Sequence, residues 1–142
     1  MNSATRLSGT YTGVGSAIVF GTGQIASNDF TGDKKIIDVS GDGADNDSDI
    51  LTTTARNNAV AAGITVNEIA IDDVGSNDIY TWYNANVIGG TNSFVVGATF
   101  ANFNNAIYDK LYREIGGQVP EPATMALFGL GLLGLAGVSR KK

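Results

Sequence analysis

The hydrophobic pattern of the chain contains three short runs of β-branched and aromatic residues. These runs, at residues 34–40, 64–71 and 92–96, have the length and composition of β-strands. The first run leads into Gly41-Asp42-Gly43, and the second is followed by Asp72 and Asp73. The sequence therefore predicts a small sheet with carboxylates at the ends of two of its strands.

Apolar residues in the stretches around these runs recur with helical spacing. The predicted helices cover residues 13–26, 49–63, 78–86 and 100–115. Asp49 is available as the N-cap of the second helix, and Gly63 as its C-terminal stop. Within the first stretch, residues 17–20 fit a short strand equally well. The last helix has the clearest pattern, with apolar residues spaced by three or four positions at Phe100, Phe103, Ile107, Leu111 and Ile115.

The alternation of strands and helices predicts an α/β fold. Strands separated by helices of this length are joined by crossovers and run parallel. We therefore expect a partial doubly wound, Rossmann-like parallel sheet of about three strands with helices on both faces. Ligands of such sheets bind beyond the carboxyl ends of the strands, where Asp42, Asp72 and Asp73 are expected to lie.

The composition narrows the possible chemistry. The 142 residues include no histidine and no cysteine, which excludes histidine-based triads, cysteine nucleophiles, disulfides and thiolate metal sites. Residues 1–119 hold 13 acidic and 6 basic side chains. This negative balance disfavours nucleic acid as a partner, because phosphate backbones would be repelled.

The last 23 residues differ in pattern from the rest of the chain. Residues 123–138 carry no charge, and Arg140, Lys141 and Lys142 follow. As a helix, this apolar segment would span roughly 24 Å, slightly less than the roughly 30 Å core of a bilayer. Its four glycines disfavour a buried soluble helix, and the basic end fits the positive-inside rule. We therefore expect a transmembrane helix with the acidic body on the outer side.

The tail also carries a family resemblance. Val-Pro-Glu-Pro at residues 119–122, the glycine-rich apolar segment and the basic end together resemble a PEP-CTERM sorting signal of Gram-negative bacteria. The resemblance implies a transient stay in the inner membrane, removal of the tail by an exosortase, and delivery to the envelope surface or the extracellular matrix. The first residues lack the pattern of a signal peptide, so we expect an incomplete N-terminus. The expected organisation is a body at residues 1–117, a proline-containing linker at 118–122 and the sorting segment at 123–142.

Four carboxylates follow the first predicted strand within eight residues: Asp42, Asp45, Asp47 and Asp49. One interpretation is a solvated turn that caps the next helix. A second is a Ca²⁺ loop, because Asp45 and Asp47 alternate with Asn46 and Ser48 as oxygen ligands. The glycine and the distant glutamate of an EF-hand are missing, however. The third interpretation assigns Asp42 alone to a divalent cation.

The third interpretation comes with a second resemblance. A buried strand followed by Ser40-Gly41-Asp42-Gly43 resembles the end of the fourth strand of a von Willebrand factor A domain. In that family an Asp-Gly pair supplies one acid of a metal-ion-dependent adhesion site. Residues 10–18 are similar to the family segment in which a threonine contacts the metal just before a helix. The resemblance implies Thr12 and Asp42 as Mg²⁺ ligands, with Thr10 as a register alternative to Thr12.

The resemblance covers residues 8–117 and departs from the family at one point. Residues 62–67 and 83–95 are similar to an uncharacterised bacterial branch of the superfamily. The family's Asp-x-Ser-x-Ser pattern, which completes the metal site, does not precede Thr12. The resemblance therefore implies the C-terminal part of such a domain, without its first three strands and with weak metal binding. The strand at residues 36–39 is then expected at an open sheet edge.

These observations predict an exported binding or adhesion protein and no enzyme. Through a bound Mg²⁺, it would hold an acidic group of an unknown protein or polysaccharide ligand. Two alternatives stay open: a structural envelope or matrix protein without a metal, and a hydrolase that pairs Asp42 with Asp72 or Asp73. The aromatic side chains of the third helix are expected in the core rather than on a binding platform: Tyr80, Trp82 and Tyr83.

Overall fold

The computed structural model describes residues 11–116, in which strands and helices alternate as predicted. The strands are β1 (Lys35–Gly41), β2 (Ile64–Ile71) and β3 (Val95–Ala98), and the helices are α1 (Val14–Ser27), α2 (Thr52–Ala61), α3 (Asp78–Asn86) and α4 (Phe103–Gly116). No helix within residues 11–116 is long and apolar enough to cross a membrane. The transmembrane helix predicted at residues 123–138 lies outside the described residues.

The sheet is parallel, with strand order β1-β2-β3. Lys35 pairs with Ile64 at one end of the β1–β2 ladder, and Gly41 pairs with Ala70 at the other. The predicted α/β class and the three-stranded parallel sheet are therefore confirmed. Within the described residues, β1 has a neighbour on one side only, and its other edge is open.

Alternate residues of β2 supply two hydrophobic clusters on opposite faces of the sheet. On one face, β2 and β1 pack against residues of α1, α2 and α3, and this cluster contains Val14, Ile18, Ile37, Ala55, Ala59, Ile64, Val66, Ala70, Tyr83 and Val87. On the other face, Ile69 and Ile71 pack with Ala98 and with Ala106 of α4. Fully burying a Val or Ile side chain stabilises a fold by about 1.5–3 kcal/mol. Because β2 supplies buried residues to both clusters, it contributes strongly to the stability of the fold.

The chain divides into two units, and the boundary follows Ile107. The first unit holds the sheet, α1 to α3 and the first turn of α4. In the second unit the end of α4 contains an ion pair one turn apart, with Lys110 Nζ lying 2.8 Å from Glu114 Oε1.

Three boundary predictions were wrong. Asp49 does not cap α2, since Leu51 occupies the N-cap position and makes no side-chain cap. The third strand begins at Val95 instead of Asn92, because Asn92 has a positive φ of 58° that a strand does not tolerate. The last helix begins at Phe103, and Phe100 precedes it in an exposed turn. The stop at Gly63 is confirmed, because this residue has a φ of 76° directly after α2.

Candidate functional site

The segment before α1 lies against the loop that follows β1. The backbone N–H of Thr12 donates a hydrogen bond of 2.7 Å to Asn46 Oδ1, and the N–H of Asn46 donates one of 2.9 Å to the Thr12 carbonyl. A Cβ atom placed on Gly43 would lie 3.0 Å from Thr12 Oγ1. Asp42 directly precedes Gly43. The fold thus brings Thr12 and the Asp42 loop together at the carboxyl end of β1. Thr10, the register alternative, lies outside the described residues.

The Asp42 side chain is exposed, and its carboxylate accepts no hydrogen bond from the described residues. No residue between 11 and 116 engages the Thr12 hydroxyl either. Carboxylate and hydroxyl oxygens are hard donors of the kind that Mg²⁺ prefers. Among the described residues, however, no three acidic side chains cluster closely enough to hold a metal ion by themselves.

Asp45 fastens the loop to the starts of two helices. Its Oδ2 accepts hydrogen bonds from the Gly15 N–H at 2.7 Å, the Ser48 hydroxyl at 2.7 Å and the Thr52 hydroxyl at 2.5 Å. Its Oδ1 accepts a longer one, of 3.3 Å, from the Asp47 N–H. Gly15 lies in the first turn of α1 and Thr52 begins α2. A single carboxylate therefore accepts a backbone N–H that α1 leaves without an intrahelical partner and joins the starts of the two helices.

These hydrogen bonds also fix the protonation state of Asp45. Burial by itself would raise the pKa of this carboxyl group. The hydrogen bonds from Thr52, Ser48, Gly15 and Asp47 outweigh burial and hold the pKa below its usual value. A Ca²⁺ ion at Asp45 would have to break these bonds, so the geometry disfavours the Ca²⁺-loop interpretation. Asp47 is exposed and would remain as a single carboxylate.

Tyr83 supports the same loop from α3. Its hydroxyl donates a hydrogen bond of 2.8 Å to the Gly43 carbonyl, and its side chain is fully buried. The ring packs edge-to-face on Trp82, with centroids 5.1 Å apart. Burial and the negative charges of Glu68, Asp42 and Asp45 raise the pKa of the Tyr83 phenol well above its usual value, so it stays a proton donor. The predicted core position is correct for Tyr83, and Trp82 is partly buried against the core, but the prediction is wrong for Tyr80, which is exposed. The contact of Tyr83 with the loop was not predicted.

The two acids after β2, Asp72 and Asp73, both accept hydrogen bonds from loop residues. Asp73 Oδ1 accepts a hydrogen bond of 2.8 Å from the Phe100 N–H, which joins the loops after β2 and β3. Burial would raise the pKa of Asp72, but its hydrogen bonds outweigh that and lower it. Asp72 therefore does not supply the acid of raised pKa that a carboxylate hydrolase needs. Four groups donate to Asp72: the N–H groups of Val74, Gly75 and Asn77 and the hydroxyl of Ser76.

The lowered pKa of Asp45 predicts an acid-sensitive contribution to stability. A group whose pKa is lower in the folded state stabilises the fold fully above its unfolded pKa of about 3.9. The contribution is lost as the pH falls toward the folded pKa. We expect the difference in unfolding free energy between the native chain and Asp45→Asn to narrow below about pH 4. Urea denaturation at pH 7, 4 and 3 would measure it, with Asp49→Asn as the control for removing one charge. A difference that stays constant with pH would contradict the prediction.

Comparison with known proteins gives two matches. Residues 1–119 match a family described as a protein of unknown function, DUF1194. Residues 118–141 match the PEP-CTERM protein-sorting motif, which confirms the resemblance of the tail and implies an exported surface protein that an exosortase processes. Searches among curated proteins and among solved structures gave no match. The resemblance to a von Willebrand factor A domain stays a prediction.

Proposed function

We propose that this chain, which belongs to the DUF1194 family of proteins of unknown function, is an exported binding protein with a cation-dependent site. In this proposal Asp42 and Thr12 hold a Mg²⁺ ion at the carboxyl end of β1. The ion binds an acidic group of a protein or polysaccharide on the cell surface or in the matrix. The protein binds its ligand and breaks no covalent bond.

The observation that carries the proposal is the approach of Thr12 to the Asp42 loop. Asp42 and Thr12 lie 30 residues apart in the sequence, and no residue between 11 and 116 forms a hydrogen bond with the Asp42 carboxylate or the Thr12 hydroxyl. Thr12 Oγ1 nevertheless lies beside Gly43, the neighbour of Asp42. Hydrogen bonds of Asp45, Asn46 and Tyr83 join the loop after β1 to α1, to the segment before α1 and to α3. Polar residues on adjacent segments at the carboxyl end of a strand are typical of a ligand site in a parallel sheet.

The donor set fits Mg²⁺, although loosely. Mg²⁺ takes about six oxygen ligands in octahedral geometry and commonly retains several waters. Asp42 and Thr12 would supply two, so water and a ligand carboxylate would fill the rest. When bound, the ion supplies positive charge that the acidic loop lacks. Asp42 and Thr12 would orient it toward the ligand, and the remaining acids would repel anions in its absence.

The other candidate functions have less support. A carboxylate hydrolase is disfavoured because Asp72 accepts hydrogen bonds within its own loop and Asp73 accepts one from the Phe100 N–H in the loop after β3. A structural matrix protein without a metal differs from the proposal in one measurable respect, because its adhesion would not depend on divalent cations.

Mg²⁺ titration of the full chain in detergent micelles tests the site directly. We expect saturable amide shifts in the nuclear magnetic resonance spectrum at Thr12, Gly13, Asp42 and Gly43. The dissociation constant should be on the order of 1 mM, because the protein contributes few ligands. Asp42→Asn should weaken binding at least about tenfold, since it removes the only charged ligand, a loss of roughly 1.4 kcal/mol or more.

Asp49→Asn is the matched control, because Asp49 is an exposed acid of the same loop. It should leave the affinity within about a factor of two, as expected for a distant screened charge. Equal affinities for the native chain and Asp42→Asn would refute the assignment of Asp42. Native protein with no saturable shifts up to high Mg²⁺ would refute the metal site and favour a structural protein.

A further inference from the structure

The second half of α4 exposes a continuous apolar stripe. Tyr108, Leu111, Tyr112 and Ile115 are 70%, 43%, 70% and 66% exposed, and their spacing of three, one and three places them along one side of the helix. The residues of α4 that pack in the core, Phe103, Ala106 and Ile107, occupy a different side. Water therefore faces an ordered row of two aromatic and two branched aliphatic side chains, which is unusual for a soluble surface.

The stripe lies close in the chain to the uncharged tail. Seven residues separate Ile115 from Ala123, where the uncharged tail begins. Even fully extended, this connection reaches about 28 Å. When the tail is inserted, α4 is thus held within a short distance of the bilayer. Tyrosine is enriched at the boundary between lipid and water, and an amphipathic helix with an apolar row binds in the plane of that boundary.

We propose that the stripe, defined as Tyr108, Leu111, Tyr112 and Ile115, binds the outer surface of the lipid bilayer that holds the tail. The proposal rests on the anchoring of the tail in the membrane. Four side chains are a small contact, and the acidic body is repelled by anionic lipids, so a free body would bind poorly. The tether compensates, because a short linker raises the local concentration of the helix at the surface to about millimolar.

This arrangement makes the contact conditional on the tail. While the tail is attached, the stripe stays in contact with the lipid surface. After the exosortase removes the tail, the tether is gone and the weak contact no longer holds the body. The stripe thus acts only in the precursor, and release needs no change in the fold.

Spin labels can test the contact because the chain contains no cysteine. Tyr108→Cys and Ile115→Cys place a label at each end of the stripe. Asp109→Cys places the control label on an exposed residue next to Tyr108, about 100° around the helix. Leu132→Cys reports on the tail. The full chain is reconstituted in phosphatidylethanolamine–phosphatidylglycerol vesicles, and relaxation by oxygen and by an aqueous nickel complex is compared at each position.

We expect the labels at residues 108 and 115 to be several-fold less accessible to the nickel complex than the label at 109, and more accessible to oxygen. Equal nickel accessibility at 108 and 109 with a lipid-buried label at 132 would overturn this proposal alone. A water-exposed label at 132 would overturn the anchoring and this proposal with it. Dipolar broadening at 108 that dilution with unlabelled protein removes would show that a second copy covers the stripe, and would also overturn it.

Discussion

Asp45→Ala is expected to lower the free energy of unfolding by about 3 kcal/mol. Hydrogen bonds to a charged group contribute about 1.5–3 kcal/mol each, and the partial exposure of Asp45 reduces that value. The substitution removes the acceptor for Gly15 and Thr52, and both of these residues are buried. Their donors would lose their partners, and the starts of α1 and α2 would no longer be joined. Urea denaturation followed by circular dichroism measures the loss.

Asp47→Ala is the matched control for this substitution. Asp47 lies two residues away, is exposed, and offers its carboxylate to no hydrogen bond from residues 11–116. Its replacement should change the unfolding free energy by less than about 0.5 kcal/mol. If both variants lost similar stability, the loop would depend on its total charge instead of on the Asp45 hydrogen bonds.

Gly41→Ala is expected to lower the free energy of unfolding by a similar amount, about 3 kcal/mol, by a different mechanism. A methyl group at position 41 would overlap the Tyr83 hydroxyl, and Tyr83 is fully buried. Forcing an extra carbon into a packed core costs about 1–3 kcal/mol. Displacing Tyr83 also breaks its hydrogen bond to the Gly43 carbonyl, which adds about 1 kcal/mol. Thermal and urea unfolding would both report the change.

A double-mutant cycle identifies the clash. Tyr83→Phe removes the hydroxyl, retains the ring, and should by itself cost about 1 kcal/mol. Combined with Gly41→Ala it should cost clearly less than the sum of the two single changes, because the overlapping atom is gone. Tyr80→Phe, on the same helix, should not relieve Gly41→Ala. If the losses of stability from Tyr83→Phe and Gly41→Ala simply added in the double variant, Gly41 would be required for another reason.

Much of the fold could be predicted from local pattern. β2 is rich in β-branched residues, and its predicted bounds agree with the structure. The α3 bounds also agree. The pattern predicted the α4 helix but not its burial, because Leu111 and Ile115 continue the spacing of Phe103 and Ile107 and yet are exposed. Spacing shows that a helix has an apolar side, but the tertiary structure decides which residues that side buries.

The candidate site was only partly predictable, because its contacts are long-range. The sequence placed Asp42 after a strand and Thr12 before a helix, and the fold brings these segments together. It did not indicate that Asp45 reaches back 30 residues to Gly15 or that Tyr83 reaches Gly43. A local signal for Asp45 existed, since Ser48 follows it by three residues, a spacing typical of side-chain hydrogen bonds in turns. The sequence pattern favoured Asp49 as the cap, because Asp49 lies nearer to the helix.

The loop after β1 is held at Thr12, Asp45 and Tyr83 before any ligand arrives. Most of the entropy that is lost in ordering this loop is therefore lost when the protein folds and not when a ligand binds. An isolated peptide spanning residues 40–49 would lack Thr12, Gly15, Thr52 and Tyr83, hydrogen-bond partners outside the loop, and should not reproduce whatever recognition the intact body has. Ligand capture and global unfolding should then share one thermal midpoint, so any substitution that melts the body also ends recognition.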